Sequence, residues 1–196
     1  MTALLVQDQA PMLQLVPMLH AANVSIRDER AADIFAREQL LDAAFGPARF
    51  TKTCQRLREK QRPARDLALV ASAGERLIGT LRFWNVDAGD RPALLLGPLA
   101  VAETHRSEGI GSRLIRAGLA RARRLGHRAV LLVGDAPYYE RFGFERRFKD
   151  GLIMPGPVEA DRFLGLELVS GSLAGARGRV LPAVDVTALR LTQRAA

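Results

Sequence analysis

Apolar residues recur along the chain in two patterns, short continuous runs and helical spacings, with turn-forming residues between them. Such runs predict strands, and apolar positions three or four residues apart predict helices. The predicted strands cover residues 24–27, 67–71, 77–84, 93–101, 129–133, 163–169 and 179–181. The predicted helices cover residues 28–45, 48–60 and 109–125. This mixture of elements indicates the α/β (α+β) fold class.

The turns between these elements predict how the strands pair. Turn residues at 72–76 and 87–92 connect the strands up to Val101 as an antiparallel meander. The helix at 109–125 then joins the strand ending at Val101 to the strand ending at Val133. A crossover of this length makes those two strands parallel neighbours. The sequence predicts one domain over residues 23–196, preceded by an N-terminal extension at residues 1–22.

Composition narrows the class of protein. A chain of 196 residues with 48% hydrophobic content can bury a single-domain core. Its one cysteine, Cys54, excludes an internal disulfide and a multi-cysteine metal site, so no metal is expected. The apolar N-terminal residues lack the basic start of a secretory signal, and no apolar run could span a bilayer. We expect a cytoplasmic protein without a membrane partner, whose translation starts at Met1 or at Met18.

The net charge of +8 raises the question of a nucleic acid partner. The basic residues, however, are spread over most of the chain. The densest group lies on and just after one predicted helix, where charges usually form a solvated face; it consists of Arg121, Arg123, Arg124 and Arg128. Nucleic acid is therefore not expected as a partner.

The most informative segment is the turn that follows the strand at residues 93–101. Gly97 and Pro98 interrupt that apolar run, and a polar link then leads to residues 106–111 (R-S-E-G-I-G), where a helix begins. Helix N-termini present free N–H groups and a positive dipole end, which suit them to bind phosphate. Glycines let an anion approach the backbone closely, and Arg106 adds a positive charge. The sequence therefore predicts an anion site at this turn.

The residues at this turn exclude two nucleotide-binding patterns. A Walker loop ends in Gly-Lys-Ser/Thr, whereas Gly111 is followed by Ser112 and Arg113. A Rossmann fingerprint has Gly or Ala where this chain has Leu114. The remaining pattern, Arg-x-x-Gly-x-Gly after an interrupted strand, resembles the acyl-coenzyme A pyrophosphate loop of the GNAT superfamily of N-acetyltransferases.

A second segment strengthens the resemblance. Residues 130–144 (V-L-L-V-G-D-A-P-Y-Y-E-R-F-G-F) are similar to the superfamily's next strand, short helix and Tyr-x-x-x-Gly-Phe ending. The two segments lie in the expected order, one helix apart, and the resemblance covers residues 23–144. It implies a GNAT-like mixed, mostly antiparallel sheet with a central splayed parallel strand pair and helices on both faces.

The resemblance also implies acetyl-CoA as the cosubstrate, with its pantetheine arm between the two splayed strands. The arm is expected along Leu99, Ala100 and Val101, because the Gly-Pro pair interrupts regular pairing and frees backbone groups. One freed amide would also polarise the thioester carbonyl. The pyrophosphate is expected on the turn and the first helical residues, which are Arg106, Ser107, Gly109, Ile110, Gly111 and Ser112.

Candidate catalytic residues follow from the same resemblance. Tyr139 matches the superfamily's tyrosine near the cofactor sulfur, and a phenol still carries its proton at neutral pH. Asp135, where the superfamily often has asparagine, would bind the cofactor, cap the short helix or contact the substrate amine. Glu103 is the carboxylate closest in sequence to the thioester and hence the candidate base; the alternative is an exposed loop residue. We expect His105 on a surface loop.

The predicted activity is transfer of an acetyl group from acetyl-CoA to a primary amine by direct attack, with Tyr139 protonating the thiolate. Cys54 is interpreted as structural, which argues against an acyl-cysteine intermediate. A non-catalytic acyl-CoA-binding sensor or interaction module is the alternative. The acceptor, a small-molecule or protein amine, has no recognisable motif, and aminoacyl-tRNA or a basic protein is a third alternative. Dimers are common in the superfamily, so a homodimer is a further expectation.

Overall fold

The computed structural model describes residues 24–146, 148 and 150–183, and its elements follow the predicted order. The strands are β1 (Val24–Asp28), β2 (Ala68–Ala73), β3 (Arg76–Ala88), β4 (Arg91–Val101), β5 (Ala129–Val133), β6 (Leu152–Ile153), β7 (Phe163–Glu167) and β8 (Gly178–Pro182). The α-helices are α1 (Ile34–Phe45), α2 (Thr53–Arg56), α3 (Ile110–Arg124) and α4 (Ala136–Glu140). The predicted extension at residues 1–22 and the candidate start at Met18 lie outside the described residues.

The strands pair into a mixed sheet in the order β1-β2-β3-β4-β5-β7. Within that order β4 and β5 are parallel, and the other neighbours are antiparallel. β8 pairs with the end of β3 at Val86–Ala88, and the short β6 pairs with β8. The strands on either side of α3 in the chain, β4 and β5, are thus parallel neighbours as predicted. The mixed sheet with its helices also confirms the predicted fold class.

The two faces of the sheet carry separate apolar clusters because strand residues alternate between faces. On one face, Leu81 and Phe83 of β3 pack with Leu114 and other apolar residues of α3. On the other face, Trp84 packs with apolar residues of the segment around α2 and of the C-terminal strands. α1 contacts β3 and β4 as well. Within the described ranges, no helix is both long and apolar enough to cross a membrane.

The predicted helix at residues 48–60 is wrong. The chain forms a 3-10 turn at Pro47–Phe50, the four-residue α2 and then turns. The β-branched Thr51 and Thr53 disfavour a helix here, and a helix without a long apolar face is only marginally stable on its own. The hydroxyl of Thr53 instead donates to the carbonyl of Pro157 at 2.6 Å, and Arg56 donates to the carbonyl of Pro155 at 2.7 Å. Long-range contacts therefore fix this segment as an irregular wall.

Two predicted boundaries also move. The predicted helix at residues 28–45 starts late, because Asp28 ends β1 and a 3-10 turn at Ala31–Asp33 precedes α1. The predicted turn at residues 87–92 shrinks to two residues, since β3 and β4 stay paired as far as Ala88 and Arg91. Gly89 has a φ of 65°, a conformation that tight hairpins require and that glycine adopts readily.

Asp33 ties the first strand to the start of α1. Its carboxylate accepts hydrogen bonds from the guanidinium of Arg27 at 2.6 and 2.8 Å, and from the backbone N–H of Arg30 at 2.7 Å. The hydrogen bond from Arg27 is the main reason why the pKa of Asp33 falls from 3.8 to about 2. The carboxylate is therefore ionised at neutral pH and well into the acidic range.

This depressed pKa predicts a pH-dependent stability. The ionised carboxylate stabilises the fold above a pH of about 4, and its contribution is lost as the pH falls toward the folded-state pKa. We expect Asp33→Asn to lower the free energy of unfolding by about 1–2 kcal/mol at pH 7 and by roughly half as much at pH 3. Urea unfolding of both proteins at both pH values measures this, and an equal deficit at both would contradict the assignment.

Candidate active site

The gap between β4 and β5 is the central feature of the site. β4 stays paired with β3 as far as Val101, but it pairs with β5 only at Leu94 and Leu95. The Gly97–Pro98 peptide bond, which is cis, follows directly, and the β3–β4 register shifts opposite it. Within the described part of the chain, the edge of β4 that faces β5 thus has no strand partner from Leu96 onward, and its backbone groups are available to a ligand.

Trp84 fixes the start of this gap. Its indole N–H donates to the carbonyl of Gly97 at 2.5 Å, and its side chain is buried. A buried indole N–H needs an acceptor, and here the interrupted strand provides one. The break in β4 is therefore held in place by packing on the face of the sheet opposite α3.

The glycine-rich turn lies open beyond the gap. Ser107 and Gly109 have left-handed φ values of 67° and 75°, and α3 begins at Ile110. Gly109 is exposed, with no atom within 4 Å of where a Cβ would lie. Arg106 is exposed too, and of the residues that the structure describes only Glu103, 3.7 Å away, pairs with it. The predicted anion site thus exposes backbone to solvent, whereas the Ile110 side chain points into the core.

Gly111 lies where the turn meets the gap. A Cβ at this position would be 2.8 Å from the hydroxyl of Tyr138, with the side chains of Val101 and Leu99 next at 3.7 and 3.9 Å. The predicted pantetheine residues and the first turn of α3 therefore adjoin one another. Ala100, by contrast, is buried, and Ser112 is half-buried beside Gly111. Of the predicted cofactor residues, the turn residues and those flanking the gap form one continuous surface.

A cavity of about 810 Å³ opens from the gap on the other side. Its walls come from α1, the segment around α2, β3, β4, the end of β5, α4 with the loop before it, and the loop before β7. The polar and aromatic residues that line it include Glu38, Phe45, Arg49, Phe50, Lys52, Thr53, Cys54, Arg58, Arg82, Trp84, Asp135, Tyr138, Tyr139, Glu159 and Arg162. A cavity of this size accommodates a small molecule or a side chain with its neighbours.

Tyr139 projects into the same cavity and is held by packing. Its ring lies against Gly134, and it meets Phe144 edge-on with ring centroids 5.9 Å apart. Burial raises the pKa of Tyr139 well above its ordinary value of 10. The phenol therefore keeps its proton at any physiological pH.

The other predicted catalytic residues are placed differently. Asp135 precedes α4 and lines the cavity, but its side chain makes no capping hydrogen bond. Glu103 does not line the cavity; its side chain is 86% exposed and pairs with Arg106. The expectation of a surface histidine is wrong, because His105 is buried and its ring bonds the hydroxyl of Thr104 at 2.8 Å. The structure thus brings Asp135 and Tyr139 together and leaves Glu103 outside.

An ion-pair network forms the wall on the side of α1. Glu29 accepts from both Arg37 and Arg82, and Glu38 accepts from Arg37 and Arg49 at 2.5 Å each. Although burial opposes it, the hydrogen bonds from Arg49 and Arg37 hold the pKa of Glu38 below its ordinary value. Glu38 is therefore a fixed anion of the wall and a poor proton acceptor.

The sequence analysis missed most of the basic residues that line the cavity. Arg49, Lys52, Arg58 and Arg162 come from segments without a motif, and only the fold brings them together. One signal was available for Arg82. It lies two residues before Trp84 in a strand, so the two side chains share a face. Among the described residues, no three His, Cys, Asp or Glu side chains are grouped to hold a metal.

Comparison with known proteins agrees with this geometry. The sequence model of the acetyltransferase (GNAT) family matches residues 33–144. The chain is 34% identical to the N-acetyltransferase YhbS of Escherichia coli K12 over 117 residues, which are 58% of this chain and 70% of that protein. The crystal structure of Escherichia coli YhbS in complex with CoA superposes with a TM-score of 0.71 at 30% identity, over 82% of this chain and 90% of that chain.

A second solved structure is similar at the same level. The GNAT family acetyltransferase of Brucella melitensis in complex with acetyl-CoA gives a TM-score of 0.63 at 30% identity, over 83% of this chain and 97% of that chain. The predicted enzyme class is therefore confirmed, because the chain belongs to the GNAT family of N-acetyltransferases.

Proposed function

We propose that the protein transfers the acetyl group of acetyl-CoA to a primary amine by direct attack. The observation that carries this proposal is the unpaired edge of β4 beyond Leu95, which leads from an open glycine turn to a large cavity. The two similar solved structures contain CoA and acetyl-CoA. An extended thiol cofactor with a pyrophosphate matches this arrangement of a backbone groove between an anion site and a cavity.

The cofactor lies with its pyrophosphate on the turn and its pantetheine arm in the gap. Backbone N–H groups from residues 106–112 and the positive end of α3 neutralise the phosphates. The free edge of β4 at residues 99–101 pairs with the amides of the arm, as a neighbouring strand would. This places the thioester near the cis Gly97–Pro98 bond, at the mouth of the cavity.

The chemistry then uses groups already in the cavity. The neutral amine attacks the thioester carbonyl, and a free β4 amide stabilises the oxyanion of the tetrahedral intermediate. As the C–S bond breaks, Tyr139 gives its proton to the thiolate and is reprotonated from the solvent. The attacking nitrogen loses its proton to Asp135 or Glu159, the cavity carboxylates that form no ion pair within the described ranges.

The Gly111→Glu variant tests the cofactor site. A side chain here meets the Tyr138 hydroxyl, and its carboxylate faces the phosphates, so we expect acetyl-CoA affinity to fall at least about a hundredfold. Ala120→Glu, which adds the same charge on the exposed side of the same helix, is the matched control and is expected to bind normally. Isothermal titration with acetyl-CoA measures both, and equal affinities would remove the turn from the proposal.

The same preparations separate the enzyme from a non-catalytic binder. Thioester consumption is followed with a panel of primary amines at saturating acetyl-CoA. We expect amine-dependent release of CoA from the wild-type protein. Tight cofactor binding without any such release would favour the sensor or interaction module instead.

A further inference from the structure

The charges of the acceptor cavity are unbalanced. Its lining contains the basic residues Arg49, Lys52, Arg58, Arg82 and Arg162 and the acidic residues Glu38, Asp135 and Glu159. Two of these cations are already neutralised by the ion-pair network: Arg49 by Glu38 and Asp42, and Arg82 by Glu29. Three cations remain, and no carboxylate of the described residues lies within ion-pair distance of them.

Of these three cations, Arg58 gives the strongest indication of an anionic ligand. It is half-buried, and its guanidinium makes one hydrogen bond to the described residues, from Nε to the backbone carbonyl of Cys54 at 3.0 Å. Burial lowers the pKa of Arg58, which means that the surroundings disfavour its charge. A desolvated guanidinium without a counter-ion is unfavourable, and its remaining donors are free to bind an anion in the fork geometry that suits carboxylate and phosphate.

The other two cations, Lys52 and Arg162, line the same cavity. Arg58, Lys52 and Arg162 each act to lower the pKa of the Cys54 thiol, although burial raises it on balance. Arg162 also acts in the same direction on Tyr139, so the cationic cluster extends to the proposed acid. Cys54 itself lines the cavity. The three cations therefore converge on one region of the cavity beside the reacting centre.

We infer that the acceptor amine carries an anionic group, a carboxylate or a phosphate, which Arg58, Lys52 and Arg162 bind while its amine faces the thioester. This inference rests on the proposed function, because it describes the substrate of that same site. The cationic cluster then holds the anion, and the carboxylates Asp135 and Glu159, which line the same cavity, attract the amine. A purely cationic amine would meet repulsion from the cluster.

Matched acceptors test the inference. We expect 4-aminobutyrate to exceed 4-aminobutyramide, or phosphoethanolamine to exceed ethanolamine, by at least about tenfold in kcat/KM. Which pair shows the preference tells carboxylate from phosphate. Arg58→Gln is expected to remove most of the preference by slowing the anionic member alone. Arg123→Gln, on the exposed surface of α3, is the control and should keep it.

Two outcomes of this assay are kept apart. If the neutral amines are acetylated as well as the anionic ones, the inference fails and the proposed function stands. Titration with acetyl-CoA shows that a slow Arg58→Gln protein is folded and binds its cofactor. If no amine of the panel is acetylated, a second measurement that needs no acceptor decides the inference.

That measurement uses Cys54, the only cysteine of the chain, as a probe of the cluster. Anionic iodoacetate and neutral iodoacetamide alkylate the same thiolate, so their rate ratio reports the local potential. We expect the ratio of the iodoacetate rate to the iodoacetamide rate to be at least about fivefold higher in the native protein than in the urea-denatured chain. The same ratio should drop in Arg58→Gln and in Arg162→Gln. A ratio equal to that of the denatured chain overturns the inference, as does a Cys54 that iodoacetamide cannot reach.

Discussion

Replacement of Tyr139 by phenylalanine is expected to lower kcat by about a hundredfold or more while acetyl-CoA affinity stays within about twofold. The ring of Tyr139 packs between Gly134 and Phe144, and phenylalanine preserves both contacts. Only the hydroxyl is lost, and with it the proton that the thiolate needs as the C–S bond breaks. Stopped assays of CoA release at saturating amine measure kcat, and isothermal titration measures the affinity.

Tyr138 provides the matched control. Its hydroxyl lies at Gly111, on the cofactor side, so Tyr138→Phe is expected to change the affinity for acetyl-CoA rather than kcat. If Tyr138→Phe loses the turnover and Tyr139→Phe keeps it, the neighbouring tyrosine is the acid. Unchanged turnover in both variants would mean that the thiolate leaves without protonation by either phenol.

The pH dependence gives an independent check. Since burial raises the pKa of Tyr139, its phenol stays protonated further into the alkaline range than an exposed tyrosine would. We therefore expect no decline of kcat near pH 10 that comes from the ionisation of Tyr139. A decline near pH 10 in the wild-type protein that is missing in Tyr139→Phe would contradict the raised pKa.

Local patterns were sufficient for the parts of the fold that have a strong periodicity. The strand at residues 129–133 and the boundaries of α3 to within one residue agree with the prediction, because a continuous apolar run and a 3.6-residue stripe are set by burial alone. The glycine-rich turn could be predicted as well, because its glycines and the start of α3 are contiguous in the sequence. Its open backbone follows from that short stretch of sequence.

The acceptor cavity could not be predicted this way. The segment at residues 47–60 reads as helix, yet its shape is fixed by bonds to the carbonyls of Pro155 and Pro157 about a hundred residues away. Nothing near His105 in the sequence shows that it is buried. The cations of the cavity come from distant segments, and neither their spacing nor their neighbours mark them as a cluster. Such long-range contacts depend on the whole fold rather than on a local pattern.

Glu29 is a buried charged residue whose loss should destabilise the protein strongly. Its side chain is 6% exposed and bonds both Arg37 and Arg82, whose side chains are 7% and 15% exposed. Glu29→Gln leaves the Arg82 guanidinium without a carboxylate partner among the described residues, whereas Arg37 keeps Glu38. Breaking a buried pair in this way costs about 3–5 kcal/mol. Urea unfolding at neutral pH measures the change.

Asp42 is the matched control for Glu29, because it belongs to the same network but is 58% exposed. We expect Asp42→Asn to lower the free energy of unfolding by less than about 1 kcal/mol, as exposed pairs contribute little. The double variant Glu29→Gln/Arg82→Gln should be more stable than Glu29→Gln alone, since the penalty comes from the unpaired cation and not from the loss of the bond. If Glu29→Gln costs no more than Asp42→Asn, the buried network does not hold the cavity wall. Arg82 would then be free to move, and the count of neutralised cations in the cavity would change with it.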